Sequence, residues 1–366
     1  MFSPGLDLDH LLEKAEREEK LSPAELLFLL ELEKPEQLNR LFERACILRN
    51  RYFGKKVFLY SFIYFSTYCR NDCTFCYYRR SNSHPRRYRK TETEVLEAAR
   101  SMAGSGVHLV DLTMGEDPYY FQRHGFEPLV DLVKKIKEAT ALPVMVSPGV
   151  VPGDLFGKLA RAGADWYACY QETYNRDLFH RLRIDQSYRL RFESKKKAME
   201  SGLLVEDGLL AGVGENASDV AFSLKTISDL GVHQARVMSF VPQEGTPLGG
   251  RPGPPLEREL KIIALLRLLM PDRLIPASLD VDGVKGLQAR LGAGANVITS
   301  LIPPQLGYAG VAQSIRDIDD GCRTVQGVAP ILRQMGLEVA PLEQYRLWIE
   351  DERKKLRRHF GKASAS

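Results

Sequence analysis

Eight short runs rich in β-branched and aromatic residues recur between residues 57 and 302: VFLYSFIYF, VHLVDLT, LPVMVS, DWYACYQ, LLVEDGLL, ARVMSFVP, LIPASLD and NVITSLI. Segments with apolar residues at helical spacing separate them, for instance ETEVLEAARSMAGSG, FEPLVDLVKKIKEAT and LERELKIIALLRLLM. Strand period giving way to helical period, again and again, predicts an α/β chain with parallel strands. Eight such units is the count of a closed (β/α)8 TIM barrel. An open doubly wound sheet is the alternative with the same count. Gly106, Gly163, Gly202 and Gly231 stand where a helix ends just before the next strand, as helix C-caps do.

Residues 8–50 read as helices, with Ser22, Pro23 and Glu25 forming a helix start. The expected organisation is N-terminal helices packed on the barrel over 1–55, the barrel over 56–340, and a basic, frayed helix over 341–366. That last helix reads as a solvated charged face. A net charge of +4 on 366 residues is too small to imply nucleic acid. The chain has no apolar run of about eighteen residues, so no membrane span is expected. Its charged N-terminus lacks the apolar core of a signal peptide. The expectation is a cytoplasmic protein, long enough to fold as a monomer.

Three of the six cysteines, Cys69, Cys73 and Cys76, crowd into YCRNDCTFCYYRR just after the first strand. An odd set on one short loop suits metal or cluster binding better than disulfides. Three thiolates can hold an iron–sulfur cubane and leave one iron without a protein ligand. A structural zinc needs a fourth ligand, and the nearest candidate is His84.

In a barrel the site lies at the C-terminal ends of the strands, and inward residues alternate with outward ones. If Asp111 faces inward, Thr113 does too; inward Glu172 carries Tyr170 with it and leaves Cys169 facing the helices. Arg236 shares its face with Met238 and Phe240, and Ser278 shares its face with Asp280. Charges of both signs then meet in one closed interior, where an unpaired ion is costly. Two readings stand side by side. Asp111, Asp280 and Arg236 pair with one another as a structural network, or they await a zwitterion, Arg236 taking a carboxylate and the aspartates taking ammonium groups.

The C-x3-C-x2-C loop, with Phe75 before its last cysteine, resembles the signature of the radical S-adenosylmethionine (SAM) enzymes. GLLAGVGE, from Gly208 to Glu215, resembles that superfamily's glycine-rich segment at the fifth strand. MGEDP, YQETY and PQEGTPL, after strands two, four and six, are similar to segments of the biotin-synthase-like group, and within it of the methylornithine synthases of pyrrolysine biosynthesis. The likeness runs over roughly residues 45–335. It implies a [4Fe–4S] cluster on Cys69, Cys73 and Cys76 and S-adenosyl-L-methionine as cofactor. It implies Glu116, Ser147, Glu172 and Arg183 as cofactor contacts, and an unidentified electron donor as partner. As substrate it implies L-lysine, rearranged to (3R)-3-methyl-D-ornithine, and the barrel positions put Asp111, Arg236, Ser278 and Asp280 where they would hold its charges. The implied route is hydrogen abstraction from the side chain, fragmentation to a glycyl radical and an aminobutene, and recombination.

The rivals are sulfur insertion, which needs a second cluster, and a zinc-clipped scaffold with the basic tail as a binding arm. Cys46, Cys169 and Cys322 read as buried small hydrophobes instead. The segment 303–321 reads as a lid or a surface loop.

Overall fold

The computed structural model describes residues 6–302 and 322–363; the expected lid, 303–321, lies outside the described residues. All eight expected strands form: β1 Lys56–Ser66, β2 Leu109–Met114, β3 Val144–Ser147, β4 Trp166–Ala168, β5 Leu204–Ala211, β6 Gln234–Ser239, β7 Pro276–Ser278 and β8 Val297–Leu301. They pair in parallel in the order β6-β5-β4-β3-β2-β1-β8-β7. β6 and β7 meet at a single bridge, Gln234 with Leu274. There Ala235 N donates to Leu274 O and Leu274 N to His233 O, both at 3.1 Å. The result is a nearly closed eight-stranded barrel, as the repeat count predicts, with a seam between the last two strands to join.

Local chemistry sets the ends of its elements. Ser22 and Glu25 make a reciprocal capping box at the start of helix Pro23–Leu30. Helix Glu92–Ser105 opens on the same device, Thr91 with Glu94, and ends on Gly106 in the left-handed region. The N-terminal helix Pro35–Phe53 packs on the barrel helix Leu256–Leu269, and Pro23–Leu30 on Ala217–Leu230.

The C-terminal helix Leu342–Ala363 departs from the expected solvated helix. Tyr345, Ile349, Glu352 and Leu356 are buried. Tyr345 Oη donates to Tyr60 Oη at 2.7 Å, and Trp348 stacks on Trp166 at 5.8 Å. Tyr60 and Trp166 lie low on β1 and β4, so this helix plugs the end of the barrel opposite the site. A two-residue strand before it, β9 Glu338–Val339, adds to the start of β1.

Candidate active site

The cysteine loop is tied down from several sides. Arg87 donates to the carbonyl oxygens of Thr67, Tyr78, Arg79 and Asn82. Asp72 accepts from Arg80 at 2.7 Å and from Ser81 N at 2.9 Å. Burial alone would push the Asp72 carboxyl up, but these bonds outweigh it and hold it at about 2. Arg89 forks onto Asp117 at 2.7 and 2.8 Å, and Asp117 also accepts from Ser66. The arginines of the segment after the cysteines therefore order the loop. From the far side, Thr74 N donates to Leu182 O, and Leu248 N to Thr74 O. Gly115 lets β2 pass under the loop: a Cβ there would press on the Tyr68 carbonyl oxygen and on Cys69.

The loop roofs a pocket of about 1080 Å³, mouth included, at the C-terminal ends of the strands. Cys69, Cys73 and Cys76 line it together with Glu116, Ser147, Glu172 and Arg183. Arg183, expected as a cofactor contact, is buried. Its Nη2 donates to Glu172 Oε1 at 2.5 Å and its Nη1 faces Cys73 Sγ at 3.6 Å. Glu172 has a φ of 69°, a left-handed turn just past β4. Glu116 accepts from Arg70 Nε at 2.9 Å and from Val150 N at 3.1 Å. In GLLAGVGE the Glu215 carboxylate accepts from the N–H groups of Gly212, Val213 and Gly214, so it shapes the turn, while Leu210 lines the pocket.

Two sequence-based expectations need correction. Cys169 was expected to face the helices. β4 ends at Ala168, so alternation stops there, and Cys169 lines the pocket with Arg191 Nη1 3.1 Å from its Sγ. Cys322 was expected to be buried and is exposed. His84, the fourth ligand that zinc would need, faces Glu244 at 3.2 Å.

The four expected substrate residues are buried below the pocket. Asp111 Oδ1 accepts from Thr113 Oγ1 at 3.1 Å and Ser147 Oγ at 3.2 Å, both of which line the pocket. Arg236 pairs with neither aspartate at contact distance; its Nε donates to Glu206 Oε1 at 2.7 Å. Its guanidinium lies over the Tyr170 ring, and its Nη1 faces Met238 Sδ at 3.8 Å. Asp280 accepts from Ser278 and Ser300 and lies 3.2 Å from Arg323 Nη2. Glu206 and Arg323 escaped the sequence reading. Glu206 was findable: it lies two residues before Gly208 on β5, and Gly208 shows its inward face by lacking a Cβ where the Tyr170 ring passes.

Burial pushes the Asp111 carboxyl up, and the nearby Glu206 charge adds to this. Arg236 and the two hydroxyls offset only part, leaving it at about 7. Asp111 is thus a buried carboxylate held by hydroxyl donors alone among the described contacts.

Three thiols on one loop fit a cluster, whose cysteines each hold a different iron. Among the described residues no group of three His, Cys, Asp or Glu is placed to hold a metal ion. Burial raises the Cys69 thiol to about 11 and raises Cys76 as well. Bound iron would hold such thiols deprotonated.

The Radical SAM superfamily model matches residues 63–227. The chain is 43% identical to the 3-methylornithine synthase of Methanosarcina acetivorans over 339 residues, which is 93% of this chain and 96% of that one. With the 3-methylornithine synthase of Methanosarcina barkeri it shares 44% over 91% of this chain and 95% of that one. It is 33% identical to the [FeFe] hydrogenase maturase subunit HydE of Thermotoga maritima, over 70% and 74% of the two chains. The crystal structure of methylornithine synthase (PylB) superposes with a TM-score of 0.88 at 43% identity, over 92% of this chain and 99% of that one.

Proposed function

Because the chain belongs to the 3-methylornithine synthase family of radical SAM enzymes, we propose that it isomerises L-lysine to (3R)-3-methyl-D-ornithine within this barrel. Substrate and product have the same atoms. The bond between C2 and C3 breaks, C2 bonds C4, and C3 becomes the methyl group. Cys69, Cys73 and Cys76 would hold the cluster, and Glu116, Ser147, Glu172 and Arg183 would contact SAM across the shared pocket. Cluster and SAM together supply, when bound, the radical that removes a hydrogen atom from the substrate.

The observation that carries the substrate assignment is the charge of the interior. Glu206 pairs with Arg236 and Asp280 with Arg323, and Asp111 once ionised leaves one formal negative charge over these five buried side chains. Lysine at neutral pH brings two ammonium groups and one carboxylate, one net positive charge, and cancels it. Glu206 fixes Arg236 through Nε. The Nη edge near Met238 then faces the pocket side, where a carboxylate would replace a weak thioether contact. Asp111, without a cationic partner among the described contacts, takes one ammonium group; Ser278 and Asp280 take the other. With its carboxylate anchored on Arg236, the glycyl fragment can turn without leaving, which the inversion at C2 requires. The barrel wall keeps both fragments in reach of each other.

The test is anaerobic turnover of the reconstituted protein with lysine, SAM and reductant. The reading expects an isomer of lysine that co-elutes with 3-methylornithine. Release of 5′-deoxyadenosine without that isomer contradicts it.

A further inference from the structure

We propose that Gln186 tunes the cluster: its amide, held in one orientation by two arginines, donates a hydrogen bond to Cys73 Sγ and raises the reduction potential. The inference rests on the assignment of Cys69, Cys73 and Cys76 as cluster ligands.

Gln186 Nε2 lies 3.1 Å from Cys73 Sγ. The two ends of a glutamine amide are told apart by their partners. Here Oε1 accepts from Arg191 Nη2 at 3.0 Å and from Arg183 Nη1 at 3.4 Å. Arginine offers donors only, so the oxygen faces the guanidinium groups and the NH2 is left for the sulfur. A flipped amide would set its NH2 against two arginines and its oxygen against a thiolate. The arginines are fixed in turn, Arg183 by Glu172 at 2.5 Å and Arg191 by Tyr170 O at 3.2 Å.

The backbone that presents Gln186 is equally constrained. Asp185 has a φ of 59° in the left-handed region, and Gln186 N donates to Arg183 O at 3.1 Å. The bond from Thr74 N to Leu182 O ties this turn to the cysteine loop itself. A neutral donor aimed at a ligand sulfur stabilises the added negative charge of the reduced cluster more than the oxidised form, and so raises the potential. Arg183 is also near Cys73, but its charge is balanced by Glu172, which leaves Gln186 as the shorter contact.

Two variants test this in the reconstituted full-length protein, without lysine. Gln186→Met keeps the length and removes the amide; Gln186→Glu keeps an oxygen for the arginines and turns the second one on the sulfur. Iron and sulfide are counted, and the midpoint potential is read by absorbance and by the electron paramagnetic resonance signal of the reduced cluster. The expected result is wild-type iron content with a more negative midpoint in Gln186→Met and a still lower one in Gln186→Glu. An unchanged midpoint in both overturns the proposal, and so does loss of the cluster in both, which would mark Gln186 as structural. If one variant alone loses its cluster, the midpoint of the other decides. A wild-type protein that takes up no cluster overturns the ligand assignment instead, so the two failures are distinct.

Discussion

Asp111 makes lysine binding depend on pH in a calculable way. In the free protein its carboxyl sits at about 7, against an ordinary 3.8. An ammonium group docked on it favours the ionised form and pulls it back toward or below the ordinary range. Only the ionised fraction then binds well. With a value of about 7, about a tenth of the molecules are ionised at pH 6 and about nine-tenths at pH 8, so affinity rises about tenfold, or about 1.4 kcal/mol. Neither ammonium group of lysine titrates in that window. Calorimetry on the unreduced, SAM-loaded protein should show about one proton released per lysine bound at pH 6 and almost none at pH 8. Asp111→Asn should flatten the profile and weaken binding at pH 8 by about 30-fold or more. The same group works against the empty fold. A raised carboxyl contributes stability at low pH that is lost as pH rises from about 4 through about 7, here up to about 4 kcal/mol. Asp111→Asn should therefore stabilise the lysine-free protein at pH 8. A wild-type affinity that is flat between pH 6 and 8 would refute the role of Asp111.

Gly115→Ala drives a Cβ into the Tyr68 carbonyl and Cys69; iron analysis after reconstitution should show most of the cluster lost. Glu206→Gln leaves Arg236 buried without its carboxylate, at a cost of about 3 kcal/mol by denaturation. Because Glu206 helps hold Asp111 up, the same variant should move the midpoint of pH-dependent lysine binding downward. Tyr345→Ala opens the plugged end of the barrel and should cost about 3–5 kcal/mol; Tyr345→Phe, losing one hydrogen bond to Tyr60, should cost about 1 kcal/mol by the same melt.

The strands were legible because each is a short apolar run between helix-period segments, and burial on both sides leaves β-rich runs little freedom of register. The cysteine loop was legible because its ligands are adjacent in sequence. Residues that act from a distance were not. Gln186 reaches Cys73 from a turn that the sequence separates from it by 113 residues, and Arg191 reaches Cys169 from the helix that follows. The partner of Arg236 was hidden for a similar reason. Glu206 sits on the neighbouring strand beside an equally acidic Asp207. Register decides between those two: Glu206 turns inward, and Asp207 turns outward to Lys195 at 2.8 Å. The terminal helix carried a legible stripe, Tyr345, Ile349, Glu352 and Leu356, which its many basic residues masked.

Carbon tracing tests the central claim most directly. L-lysine labelled with carbon-13 at C3 is turned over anaerobically, and the product is examined by carbon NMR. A skeleton rearrangement that breaks C2–C3 and joins C2 to C4 places the whole label in a methyl group. Label recovered in a methylene, or in unreacted lysine alone while 5′-deoxyadenosine accumulates, would contradict the assignment of this barrel as a lysine mutase.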